Sequence, residues 1–230
     1  MSDTIHAEYF TDLLCIWAYG AHVRIRQLHA DYRKQLSLKA RYIPLFACTG
    51  QRIGKGWAAR GGYAGFGRHC REVASHWDHV KVHPDIWKDD PPASSTSPHL
   101  FLKAVQLLED EAVVDIERDS EPLSSRLAWL MRERFFAGRM NIARYDVQCA
   151  LARELDLPLS AIRARLDSGQ AHAALHDDFE AQQRYQVTGS PTLVLNEGRQ
   201  RLYGNVGYRI IQANVRELLH DPQAGEASWC

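Results

Sequence analysis

Cys15 heads the tetrapeptide "CIWA" (15–18), at the point where a β-branched and aromatic stretch gives way to a helical pattern. A thiol in the first turn of a helix faces unsatisfied backbone N–H groups and the positive end of the helix dipole. Both favour the thiolate and predict a lowered pKa. The position suits a nucleophile, and the competing interpretation is a small buried hydrophobe, which is what most free cysteines are. A second feature, "TGSPTLVLN" (188–196), is a Gly-Ser-Pro turn that runs straight into a strand. Cis peptides are essentially confined to proline and sit in such tight turns, so Ser190–Pro191 is a candidate cis bond, with an ordinary trans turn as the alternative.

Other clusters carry less chemistry. "CTGQRIGKGWAARGGYAGFGRHC" (48–70) is rich in glycine and reads as a loop or a very irregular entry to a helix, bearing Arg52, Lys55, Arg60 and Arg68. Arg52, Lys55 and Arg60 have the chemistry to grip a carboxylate, although basic loops are more often simply solvated. "GQRIGKG" is not a phosphate-binding loop, because only three residues separate its glycines and neither Ser nor Thr follows Lys55. His69, Cys70, His76, His79 and His83 invite a zinc interpretation, but their spacing matches no Cys/His framework and lacks the carboxylate of H-E-x-x-H. No metal is expected. Trp17, Trp57, Trp77 and Trp87 are expected in the core or on pocket walls.

The elements that must position these groups follow from hydrophobic periodicity. Ile5 to Leu14 reads as a buried strand, about Cys15 to Lys34 as a helix, and 36–46 as a second strand. Strand, helix, strand is a right-handed crossover with parallel strands. A long helical middle follows, with faces built from Leu100, Leu107, Leu127, Phe135, Leu151, Leu155 and Leu175, and "DDPPASSTSP" (89–98) reads as a linker. The chain then returns to a hairpin, 192–196 and 200–204 about Glu197–Arg199, and a closing helix at 208–219. This order predicts an α/β chain with a mixed parallel and antiparallel sheet and a large all-helical insertion. The expected division is 1–50 with 184–230 for the discontinuous sheet domain and 51–183 for the insertion, since the flanking pieces are too small to fold alone.

Cysteine at the strand-to-helix junction, the helical insertion and the G-S-P-T strand, hairpin and final helix together resemble the DsbA-like branch of the thioredoxin superfamily. "DLLCIWAYG", "ERFFAGRMNIARYDVQCALARELDL" (133–157) and "YQVTGSPTLVLNEGRQRLYGNVGYR" (185–209) carry the resemblance, which spans nearly the whole chain. It implies a thioredoxin-like fold in which Cys15 attacks disulfides, with Trp17 and Ala18 beside it and Ser190, cis-Pro191 and Thr192 forming the substrate loop. The family's second cysteine would stand at position 18, where this chain has alanine. A lone thiol cannot turn a mixed disulfide into its own intramolecular disulfide, so the expected chemistry is monothiol, with glutathione as the second thiol. Cys48 is an alternative resolving thiol, a few residues past the second strand and so at the same end of the sheet. The branch also includes kappa-class glutathione transferases and 2-hydroxychromene-2-carboxylate isomerases, where a "GNVGYR"-like segment (204–209) touches glutathione. That resemblance implies roles for Asn205 and Arg209 and offers a transferase or isomerase as a second hypothesis; a non-catalytic binding protein is the third.

Composition bounds the rest. Hydrophobic residues make up 45% and charged residues 24%, and 28 basic residues balance 28 acidic ones, so nothing global draws the chain to nucleic acid or to an anionic membrane. No apolar run reaches spanning length, and the first residues lack the pattern of a signal peptide. Five scattered cysteines without C-x-x-C spacing predict a reducing, cytoplasmic setting. No tightly bound cofactor is expected. The partner is glutathione or a thiol or disulfide substrate, and a homodimer through the insertion helices is left open.

Overall fold

The computed structural model describes residues 4–114 and 121–220; Cys230 lies outside them. Strand β1 (Ile5–Thr11) is central and buried on both faces, with Ile5, Ala7 and Tyr9 on one side and Phe10 on the other. Strand β2 (Leu36–Tyr42) pairs with it in parallel, Ile5 opposite Leu36 through Thr11 opposite Tyr42. On the other edge β3 (Thr192–Leu195) runs antiparallel to β1, and β4 (Gln200–Tyr203) antiparallel to β3, giving the order β2-β1-β3-β4. This is the mixed sheet of a thioredoxin-like fold.

The first strand ends at Thr11 rather than Leu14, because residues 12–15 fold into a turn closed by Cys15 N donating to Asp12 O at 3.2 Å. Helix α1 (Ile16–Tyr32) then packs Ile25 and Leu28 on the sheet beside Ile211 and Val215 of the closing helix α8 (Tyr208–His220). Burying each such aliphatic side chain contributes roughly 1.5–3 kcal/mol.

Among the described residues, six α-helices lie between β2 and β3: α2 (Gly62–Ala74), α3 (Thr96–Asp110), α4 (Leu123–Phe136), α5 (Tyr145–Arg153), α6 (Leu159–Asp167) and α7 (Gln170–Arg184). Their apolar faces join Leu13, Leu14 and Tyr19 in one continuous core with Phe101, Leu127 and Phe135.

One sequence expectation narrows here and another changes. The glycine-rich stretch 48–70 is the irregular entry to a helix rather than an open loop: it holds a π-helical turn (Gly50–Lys55), a 3-10 turn (Ala58–Arg60) and the first nine residues of α2. Its glycines permit close packing. A Cβ on Gly65 would stand 1.8 Å from Arg60 O, and one on Gly67 2.4 Å from Ile86 O; Gly61, at φ +90°, makes the left-handed entry to α2. Nor is 89–98 a free linker. Pro92 and Ser95 are buried, Thr49 Oγ1 donates to Pro92 O at 2.7 Å, and α3 begins at Thr96.

Candidate functional site

Cys15 is the N-cap of α1, in extended backbone (φ −82°, ψ 117°), with its carbonyl accepting the first helical hydrogen bond from Tyr19 N at 3.0 Å. Its Sγ donates to Ser190 O at 3.2 Å, and the Ser190–Pro191 peptide bond is cis. Ser190 is also tied on its other side, where its Oγ accepts from Asp12 N at 3.0 Å. One serine therefore clamps the strand-to-helix turn to the loop that precedes β3. Thr192 Oγ1 steadies that loop by donating to Gly189 O at 2.8 Å.

Asp12 organises the turn from beneath. It is fully buried, and its carboxylate accepts from Leu14 N (2.8 Å), Phe46 N (3.0 Å) and Ser95 Oγ (2.7 Å), joining the segments that follow β1 and β2 to the start of α3. His99 Nε2 lies 3.8 Å from the same carboxylate and accepts from Leu13 N at 3.2 Å, which assigns its proton to Nδ1. Burial holds His99 down to about 4, so the ring is neutral at ordinary pH.

The sulfur opens on a cleft of about 450 Å³. Its walls are Trp17 from α1, Phe46 and Arg52 from the chain after β2, Trp57 and His69 from the α2 region, and Ser190 and Tyr203 from the far edge of the sheet. His69 packs on Trp57 with ring centres 5.2 Å apart. Arg52 lies 4.9 Å over the Phe46 ring and, among the described residues, has no carboxylate partner. Trp17 is 41% exposed and Tyr203 68% exposed, so the rim is apolar and open.

The thiol itself overturns one expectation. Burial pushes Cys15 up from its ordinary value, and the Asp12 charge adds to this; the backbone N–H groups of Ala18 and Trp17 and the Ser190 contact act in the opposite direction without prevailing. The helix start does what its geometry predicts, but the thiol of a residue that is only 6% exposed loses more from desolvation than it gains from those donors.

Ala18 is fully buried beneath Cys15, and Pro191 and Thr192 are buried in the loop. Cys48 is exposed and does not line the cleft. Asn205 and Arg209 do not line it either: Asn205 Oδ1 accepts from Arg24 Nη1 at 2.6 Å, and Arg209 is an exposed residue in the first turn of α8. The histidines of 69–83 do separate tasks, His79 Nε2 meeting Gly20 O at 2.9 Å and His83 Nδ1 accepting from Asp85 N; among the described residues no three potential ligands gather. Trp17 and Trp57 line the cleft, as expected of pocket-wall tryptophans; Phe66 and His69 as cleft walls, and Ser95 and His99 as supports, did not emerge from the sequence. The spacing of Phe66, Cys70 and Val73 at four and three is the helical signal that would have found α2.

A family model described as thioredoxin matches residues 9–211. The chain belongs to the thioredoxin family. Within the superfamily its fold is DsbA-like. The cytosolic disulfide reductase DsbM from Pseudomonas aeruginosa, solved with GSH, is 18% identical, with a TM-score of 0.66 over 92% of this chain and 99% of that one. A 2-hydroxychromene-2-carboxylate isomerase is 15% identical, with a TM-score of 0.61 over 94% and 97% of the two chains. In sequence, the ClpXP adapter protein SpxH of Halalkalibacterium halodurans is 24% identical over 223 residues, 91% of this chain and 66% of the relative. The matched region thus falls just short of two thirds of that curated protein. Among the described residues no helix is long and apolar enough to cross a membrane.

Proposed function

We propose that this thioredoxin-family protein is a monothiol disulfide oxidoreductase that uses glutathione as its second thiol. The observation that carries the proposal is Cys15 at the head of α1, facing Ser190 and cis-Pro191 across a cleft that no second cysteine lines among the described residues. Cys15, once deprotonated, attacks one sulfur of a disulfide. The S–S bond breaks, a mixed disulfide with Cys15 forms, and the departing thiolate takes up a proton. Glutathione thiolate then attacks the substrate sulfur of that mixed disulfide, a glutathione–substrate disulfide leaves, and Cys15 regains its proton.

Trp17 and Tyr203 supply apolar contact area at the rim, Arg52 offers a cation to a glutathione carboxylate, and the 189–192 loop takes the substrate backbone. Asn205 and Arg209 would act only on a ligand that reaches past the cleft. No tightly bound cofactor is needed, and the setting is a reducing cytoplasm. The division into 1–50 with 184–230 and 51–183 belongs to the same proposal and is supported by chain order.

Incubation with oxidised glutathione followed by intact-mass measurement tests the chemistry. One glutathione per chain is expected on the wild type and none on Cys15→Ser; uptake by Cys15→Ser equal to wild type would falsify it.

The buried, protonated thiol favours a second reading, a transferase or isomerase in which the α1 N–H groups stabilise glutathione's own thiolate. Steady turnover of an electrophile with glutathione by Cys15→Ser would select it.

A further inference from the structure

A second cavity, of about 240 Å³, lies on the α1 side of the sheet, lined by residues other than those of the Cys15 cleft and enclosed by β1, β2, α1, α3 and α4. Its floor is polar and deeply buried. Arg132, from α4, is 1% exposed, and its guanidinium donates from Nη1 to His22 Nδ1 at 2.6 Å and from Nη2 to Thr11 Oγ1 at 2.7 Å. Both acceptors are uncharged, since burial holds His22 down to about 4. Among the described residues no carboxylate lies within ion-pair distance of Arg132. The Arg132 Nε and the nearby Tyr9 Oη are buried without a hydrogen-bond partner.

A buried cation whose neighbours are all neutral is costly unless something supplies the missing charge. The acids at the mouth do not. Glu121 is engaged by Arg26 at 2.8 Å, Glu109 accepts from Ser124 N and Oγ at 2.7 and 2.6 Å, and Asp110, the third acid lining the cavity, makes no ion pair with Arg132. Between floor and mouth the walls are apolar, made by Ile25, Leu38, Ala40, Tyr42 and Ala128.

We propose that this cavity is a binding site for a small organic monocarboxylate with a flat or compact apolar body, its carboxylate directed to Arg132 and Tyr9 and its body lying between Ile25, Leu38 and Ala128. Arginine pairs with carboxylates in a planar, bidentate fashion, and the Tyr9 hydroxyl supplies a further donor. A volume of this order suits a single aromatic ring or a short branched chain rather than a peptide. The site shares no lining residue with the Cys15 cleft, so it does not depend on the thiol chemistry.

Benzoate and its neutral isostere benzamide test the proposal by calorimetric titration of the full chain, with 4-bromobenzoate located by anomalous scattering in a crystal. Saturable benzoate binding is expected, with benzamide at least tenfold weaker. The bromine is expected beside Ala128, and Cys15→Ser is expected to bind as wild type does. Arg132→Met should remove the preference for benzoate over benzamide. Because a buried arginine can be needed for folding, Ala128→Leu, which fills the cavity and leaves the charge in place, provides the second arm and should weaken benzoate at least tenfold. Equal affinity for benzoate and benzamide, binding undiminished in Ala128→Leu, bromine located in the Cys15 cleft, or no binding at all would each overturn it.

Discussion

Burial, with the Asp12 charge adding to it, determines how Cys15 behaves. The sulfur is held at the helix head by one carbonyl, and the buried carboxylate beneath it disfavours a second negative charge. Cys15 should therefore alkylate slowly at neutral pH, with its iodoacetamide rate, followed by peptide mass apart from that of the exposed Cys48, still climbing beyond pH 9; a plateau by pH 7 would contradict the burial argument. His22 and His99 give a separate pH signature. Both are pushed to about 4, below the ordinary 6.5 they regain on unfolding. Between those values the unfolded chain binds protons that the folded chain does not, so stability is full above pH 6.5 and falls as the pH drops towards 4, by about 3 kcal/mol for each histidine. Urea unfolding at several pH values should show this slope. His99→Gln, which keeps an acceptor for Leu13 N but cannot titrate, should flatten it by one residue's share. The position of Cys15 was legible in sequence because helix starts leave local marks. The direction of its pKa was not, because burial is set by Phe46, Ser190 and α2, residues far along the chain.

At the level of elements, α2 shows the limits of composition. Five glycines in 54–65 fit a loop as well as an irregular entry to a helix, and Gly65 lies inside the helix, where Arg60 O occupies the space that a side chain would need. Gly65→Ala should cost about 3 kcal/mol through overpacking. Gly50→Ala, with open space around its Cβ, should be neutral or stabilising by about 0.5–1 kcal/mol. Thermal melts of the two variants compare the cases directly, and equal losses would count against the packing account. The segment before α3 misled for a related reason. Proline and serine usually mark free chain, but here Ser95 caps nothing and instead donates to Asp12, a pairing across 83 residues that no local pattern reveals. The β1–α1–β2 crossover and the β3–β4 hairpin were legible, since their periodicities change within a few residues.

For the whole molecule, the insertion helices and the sheet are joined by buried charge as well as by apolar packing. Asp178 of α7, fully buried, accepts from Lys103 Nζ of α3 at 3.0 Å, Arg41 Nη1 of β2 at 3.1 Å and Tyr42 N at 2.9 Å. Asp178→Ala leaves Lys103 buried without its partner and should lower the unfolding free energy by about 3–5 kcal/mol. Loss of the same size when the sheet and the helices are followed by separate probes would show that they unfold together. This network was invisible in sequence, where Asp178 sits in an ordinary amphipathic helix. The clamp at Ser190 has a consequence at the same scale. A sulfur that rests protonated against a carbonyl is a poor target for peroxide, which oxidises thiolates. Cys15 thus rests in a form that survives idle periods, and under the proposed chemistry a ligand that displaces the Ser190 contact exposes it to reaction.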